Sequence, residues 1–101
     1  MTRREKLEAM LKESPDDSFL RYALAMEFRS AGDNEGALTR FQELRELNPR
    51  HVASYFQSGQ ILAALTRTDE AKEMLRKGIQ TAGEVGDHHA AGEMQALLAD
   101  L

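Results

Sequence analysis

SFLRYALAMEFRSAGDNEGALTRFQELRELNP, residues 18–49, reads as two amphipathic helices broken at Gly32-Asp33 and closed by Asn48-Pro49. Shifting this stretch by about 34 residues, a period that marks helix-turn-helix repeats, brings similar residue types back into place. Pro15, Pro49 and Gly83 fall in one column, Leu7, Phe41 and Leu75 in another, and Met10, Leu44 and Gly78 in a third. Ala37 lands on Ala71, inside the similar phrases Asn-Glu-Gly-Ala and Thr-Asp-Glu-Ala. Such a chain stacks one supersecondary unit on copies of itself. A coiled coil is the competing helical architecture, but turn signals roughly every 14 to 18 residues interrupt any sustained heptad.

These residues resemble the tetratricopeptide repeat family. Its pattern has a bulky residue early in the first helix, a Leu-Gly pair, an aromatic, a turn glycine, a small alanine, an aromatic and a closing proline. Here those places hold Arg21, Leu24 with Ala25, Phe28, Gly32, Ala37, Phe41 and Pro49. The next copy holds Tyr55, Ser58 with Gly59, Leu62, Thr66, Ala71, Leu75 and Gly83. The first copy departs from the pattern at Arg21 and Ala25, the second at Ser58, Thr66 and Gly83. The resemblance implies an all-α fold, a right-handed α-α superhelix (solenoid) of antiparallel helix pairs, with about six helices. A single domain over residues 1–101 is expected: a leading half-repeat helix at 3–14, repeats at 17–49 and 51–83, and a capping helix at 87–101.

Local signals place those helices. From about Arg3 to Glu13, Leu7, Met10, Leu11 and Ser14 share one side at helical spacing, and Ser14-Pro15 ends the run because proline disfavours helix at the residue before it. Asp16 or Asp17 caps the next helix, about Asp17 to Ser30. Phe19, Leu20, Tyr22, Ala23, Leu24, Met26 and Phe28 make that helix apolar nearly all round, so it must bury more than one face. Gly32 suits a left-handed stop. Asp33 or Asn34 caps a helix from about Glu35 to Leu47, with Ala37, Leu38, Phe41, Leu44 and Leu47 inward and Arg40, Gln42, Glu43, Arg45 and Glu46 in water.

The third pair begins near Arg50 or His51 and runs to about Leu65, with Ala53, Tyr55, Phe56, Gly59, Ile61, Leu62 and Leu65 as its apolar or small positions. Thr68 and Asp69 start a helix reaching about Ala82, with Ala71, Met74, Leu75, Gly78, Ile79 and Ala82 inward. Gly78 costs roughly 1 kcal/mol of helix propensity against alanine, which close helix approach would offset. Residues 83–87 read as a turn with Asp87 as a cap. From His88 to about Asp100, a last helix turns Ala91, Met94, Leu97, Leu98 and Leu101 inward, with Glu93, Gln95 and Asp100 outward.

A chain of 101 residues, 42% of them apolar, is long enough for one elongated core. Its 17 acidic and 13 basic residues leave a net charge of −4, and the basic ones are scattered among acids. That argues against nucleic acid, which selects a basic face. With no cysteine there is no disulfide or thiolate chemistry. No apolar run reaches signal-peptide or membrane-span length, so no membrane contact and a cytoplasmic location are expected.

No residue set supports catalysis, a cofactor or a metal. His88 and His89 are adjacent and point about 100° apart on a helix. His89 and Glu93 at i,i+4 could share a metal, but no third ligand is spaced to complete the site. No nucleophile elbow and no glycine-rich phosphate loop is present. Arg3-Arg4-Glu5-Lys6 and Arg76-Lys77 are short or mixed and read as solvated helix faces.

What remains is a binding face. In the resembled family the first helix of each repeat lines a concave surface that takes extended or helical peptides. By register this surface comprises Phe19, Tyr22, Ala23, Met26, Arg29 and Ser30 on one helix, and Ala53, Phe56, Gln57, Gln60, Ala63 and Ala64 on the next. One branch of the family clamps acidic chaperone tails with Lys, Asn and Arg. Here Ala23 and Gln57 stand where a clamp asparagine belongs, no groove lysine exists, and Arg29 is alone. The implied function is a non-catalytic adaptor that binds a protein or peptide segment, apolar and neutral in character. Phe19, Tyr22, Met26, Arg29, Phe56, Gln57 and Gln60 are its candidate contacts. The alternative function is a self-associating structural protein that mates the same apolar surface as a homodimer. A competing reading of the aromatics is that neighbouring helices cover Tyr22, Met26 and Phe56.

Overall fold

The computed structural model describes all 101 residues, in six helices with no strand. These are α1 (Arg3–Glu13), α2 (Ser18–Ser30), α3 (Asn34–Leu47), α4 (Val52–Ala64), α5 (Thr68–Val85) and α6 (His88–Ala99). Two compact units divide the chain, Met1–Pro49 and Arg50–Leu101.

In the first unit, α1 starts on a capping box: the Glu5 amide donates to Thr2 Oγ1, and the Thr2 amide donates to a Glu5 carboxylate oxygen. The bond from the Thr2 amide, with a smaller contribution from the Thr2 hydroxyl, favours the ionised form and holds the Glu5 carboxyl below its ordinary value. Leu7 is buried and Leu11 half-buried, whereas Met10 (53% exposed) and Ser14 face solvent, against expectation. A helix that packs on a single neighbour buries one narrow stripe, and Met10 falls outside it. Arg3 pairs with Glu27 at 2.6 Å, and the Arg4 guanidinium sits 3.9 Å from the centroid of the Phe28 ring. The start of α1 therefore lies beside the end of α2.

Asp17, not Asp16, caps α2 by accepting from the Leu20 amide. Asp33, not Asn34, caps α3 by accepting from the Gly36 amide. Leu20, Leu24, Ala25 and Phe28 of α2 are buried with Ala37, Phe41 and Leu44 of α3. Leu47 departs from the expected inward stripe at 48% exposed. It lies in the last turn of α3, where Asn48 Nδ2 donates to Ser18 Oγ at 3.3 Å and the chain turns away. Arg40, Glu43 and Arg45 are half-buried rather than fully in water. Arg40 binds Glu43 at 2.6 Å and its guanidinium carbon lies 4.9 Å from the Phe28 centroid, so the charged head is held between a carboxylate and an aromatic face.

In the second unit, α4 and α5 are antiparallel, and α6 folds back over both. Leu75, Ala82 and Met94 form its buried centre, with Val52, Tyr55, Phe56, Ile79, Ala90, Ala91, Leu97, Leu98 and Leu101 packed against it. A Cβ added at Gly78 would come within 2.5 Å of Met94 Sδ and 2.7 Å of Tyr55 Cβ. The missing side chain is what lets α4 and α6 approach α5 there.

Two fully buried residues of α4 are polar, Ser54 and Ser58. The apolar reading passed over Ser54, yet the repeat shift puts Ser54 on Leu20 and Ser58 on Leu24. The Ser54 hydroxyl donates to the His51 carbonyl at 2.8 Å, which keeps a polar atom satisfied inside the helix face.

The expected turn at residues 83–87 is shorter than its glycines suggested. Gly83, Glu84 and Val85 continue α5, and the chain stops only at Gly86, whose φ is +80°. The Asp87 amide bonds the Ala82 carbonyl at 2.8 Å. The same six-to-one bond closes α2, Asp33 to Phe28, and α4, Arg67 to Leu62. It is the Schellman stop, which needs a left-handed residue just past the helix. Gly32 supplies it after α2 with φ +82°, and Thr66 after α4 with φ +59°.

Candidate partner-binding faces

Because Asp17 starts α2 at Ser18, Phe19, Tyr22, Met26 and Arg29 follow one another at steps of three and four residues along one strip. Phe19 heads the strip at 76% exposed, and Tyr22, Met26 and Arg29 below it are half-buried. The Tyr22 ring is tilted at 60° to Phe41 with centroids 5.8 Å apart. Tyr22 is thus braced on one side by the core while its other side remains partly open. Ala23 is half-buried and Ser30 exposed, at the edges of the strip. The buried residues of α2 occupy the rest of its apolar circumference, so the all-round apolar pattern divides into a core side and an open side.

Leu47 adds an apolar group that the sequence reading put in the core. It precedes Asn48 as Phe19 follows Ser18, and the Asn48–Ser18 hydrogen bond carries both exposed side chains to one end of the α2–α3 pair. The spacing could not show this, since Leu47 also satisfies the inward period of α3.

On α4, Phe56, Gln57 and Gln60 are half-buried, Ala63 likewise, and Ala53 and Ala64 exposed. Phe56 packs against the Leu75–Ala82–Met94 centre, so much of its ring belongs to the core of the second unit. The open part of this face is amide and methyl. Its chemistry therefore differs from that of α2, which offers aromatic, thioether and guanidinium groups.

No three His, Cys, Asp or Glu side chains gather in a way that could hold a metal. His89 Nε2 lies 3.2 Å from a Glu93 carboxylate oxygen on the exposed side of α6. No helix is long and apolar enough to cross a membrane.

Residues 17–51 match the family pattern described as tetratricopeptide repeat. A TPR repeat-containing protein of Pseudomonas aeruginosa is 32% identical over 97 residues, which cover 96% of this chain and 92% of that protein. A tetratricopeptide repeat domain protein from Salinibacter ruber, solved in solution, is 36% identical with a TM-score of 0.80, covering 85% of this chain and 87% of that one. The fold also matches the TPR2B domain of yeast Sti1, solved in complex with pHsp70, at a TM-score of 0.87 and 20% identity, covering 95% of this chain and 77% of that one. The repeat columns, the helix pairs with their shared stops, and a relative matching nearly end to end lead to one conclusion: the chain belongs to the tetratricopeptide repeat family.

Proposed function

We propose that this protein is a non-catalytic scaffold that binds a peptide or a partner helix on the first-helix faces, α2 in one unit and α4 in the other. The family consists of protein–protein interaction scaffolds, and the yeast Sti1 domain that shares this fold is solved with pHsp70. The observation that carries the proposal is Phe19, a large aromatic 76% exposed at the head of the Tyr22–Met26–Arg29 strip. An aromatic beside Tyr, Met and Arg is the composition of a binding hot spot. One guanidinium among apolar groups fits a predominantly apolar segment rather than a polyacidic tail. The Gln57 and Gln60 amides can serve the backbone of an extended ligand without adding charge. A cytoplasmic location goes with this reading.

The test is capture of the partner from native lysate, followed by calorimetry of the purified pair. Phe19→Ala and Tyr22→Ala should each weaken binding by about 2 kcal/mol, close to thirtyfold. Arg76→Ala, on the exposed side of α5, should leave affinity unchanged. Equal recovery by the parent and both α2 variants, with circular dichroism unchanged, would move the site off this face. Light scattering should show a monomer; a dimer that Phe19→Ala dissociates would favour self-association instead.

A further inference from the structure

No further inference is drawn: the strongest candidate, the recess of about 180 Å³ over Leu62 and Met74 between α4 and α5, is rimmed by Glu70 and Glu73, whose carboxylates already pair with Arg67 and Lys77, and nothing in the structure shows what covers it.

Discussion

Thr66 holds a conformation that its side chain disfavours. A β-branched residue at φ +59° crowds its Cβ against the backbone, at a cost of about 1–2 kcal/mol relative to glycine. Its Oγ1 donates to the Leu65 carbonyl at 2.6 Å, a local bond that does not remove the crowding. Thr66→Gly should therefore raise the midpoint of denaturant unfolding, corresponding to about 1 kcal/mol after the entropy of a freer unfolded chain is subtracted. Gly32→Thr should lower it by a similar amount. A Thr66→Gly variant no more stable than the parent would mean that the turn relaxes without strain. His51, the N-cap of α4, is perturbed in another way: partial burial disfavours its imidazolium and lowers its pKa, against a smaller opposing effect of a backbone hydrogen bond. Its folded pKa then lies below the unfolded value of about 6.5. The unfolded chain binds more protons between the two values, so this contribution is complete above about pH 6.5 and is lost as pH falls through the folded pKa. His51→Gln should flatten the acid limb of a stability–pH curve measured from pH 7 to 5. An unchanged slope would assign that limb to other groups.

Within α5 two glycines do opposite things. Gly78 is buried where α4 and α6 close on the helix, and a methyl group there would strike Met94 Sδ and Tyr55 Cβ. Gly83 is exposed, with nothing within 4 Å of a built Cβ, and it sits inside a helix that its sequence context suggested had ended. Gly83→Ala should stabilise by about 0.5–1 kcal/mol through backbone entropy and propensity alone. Gly78→Ala should destabilise by about 1–3 kcal/mol through overpacking. Paired thermal melts check both, and the signs must differ. Two variants that shift in the same direction would show that the close approach at Gly78 does not discriminate between the sites. The helix outlasts Gly83 because no proline follows to end it there, and the left-handed residue with its six-to-one bond that stops it is reached only at Gly86.

At the scale of the molecule, α6 completes the core of the second unit. Met94 is fully buried in it, with Leu97, Leu98 and Leu101 packed around. Each such side chain contributes up to about 1.5–3 kcal/mol when withdrawn from water, and the total is comparable to the stability of a small domain. Deleting residues 88–101 should therefore abolish cooperative unfolding or cause aggregation, as followed by circular dichroism and light scattering. A truncation that melts as sharply and at the same temperature as the parent would remove α6 from the core. The sequence by itself determined the helix count, the pairing period and the neighbourhood of three caps. Glycine, proline, aspartate and apolar spacing act over a few residues, so Asp87 could be read as a cap, Asp16 or Asp17 and Asp33 or Asn34 as pairs of candidates, and Gly32 as a stop. Ala37, Phe41, Ala71 and Leu75 were legible as core because the repeat brings them back in register. Only the tertiary structure decided how each stripe is shared between neighbours and solvent. Met10 and Leu47 satisfy an inward period yet lie exposed, whereas Ser54 and Ser58 are buried among apolar residues. The candidate face shows the same division. Its residues were named from register, but whether Phe19 stands open and Phe56 leans into the core depends on how many helices pack around each strip, and a helical period carries no record of its neighbours.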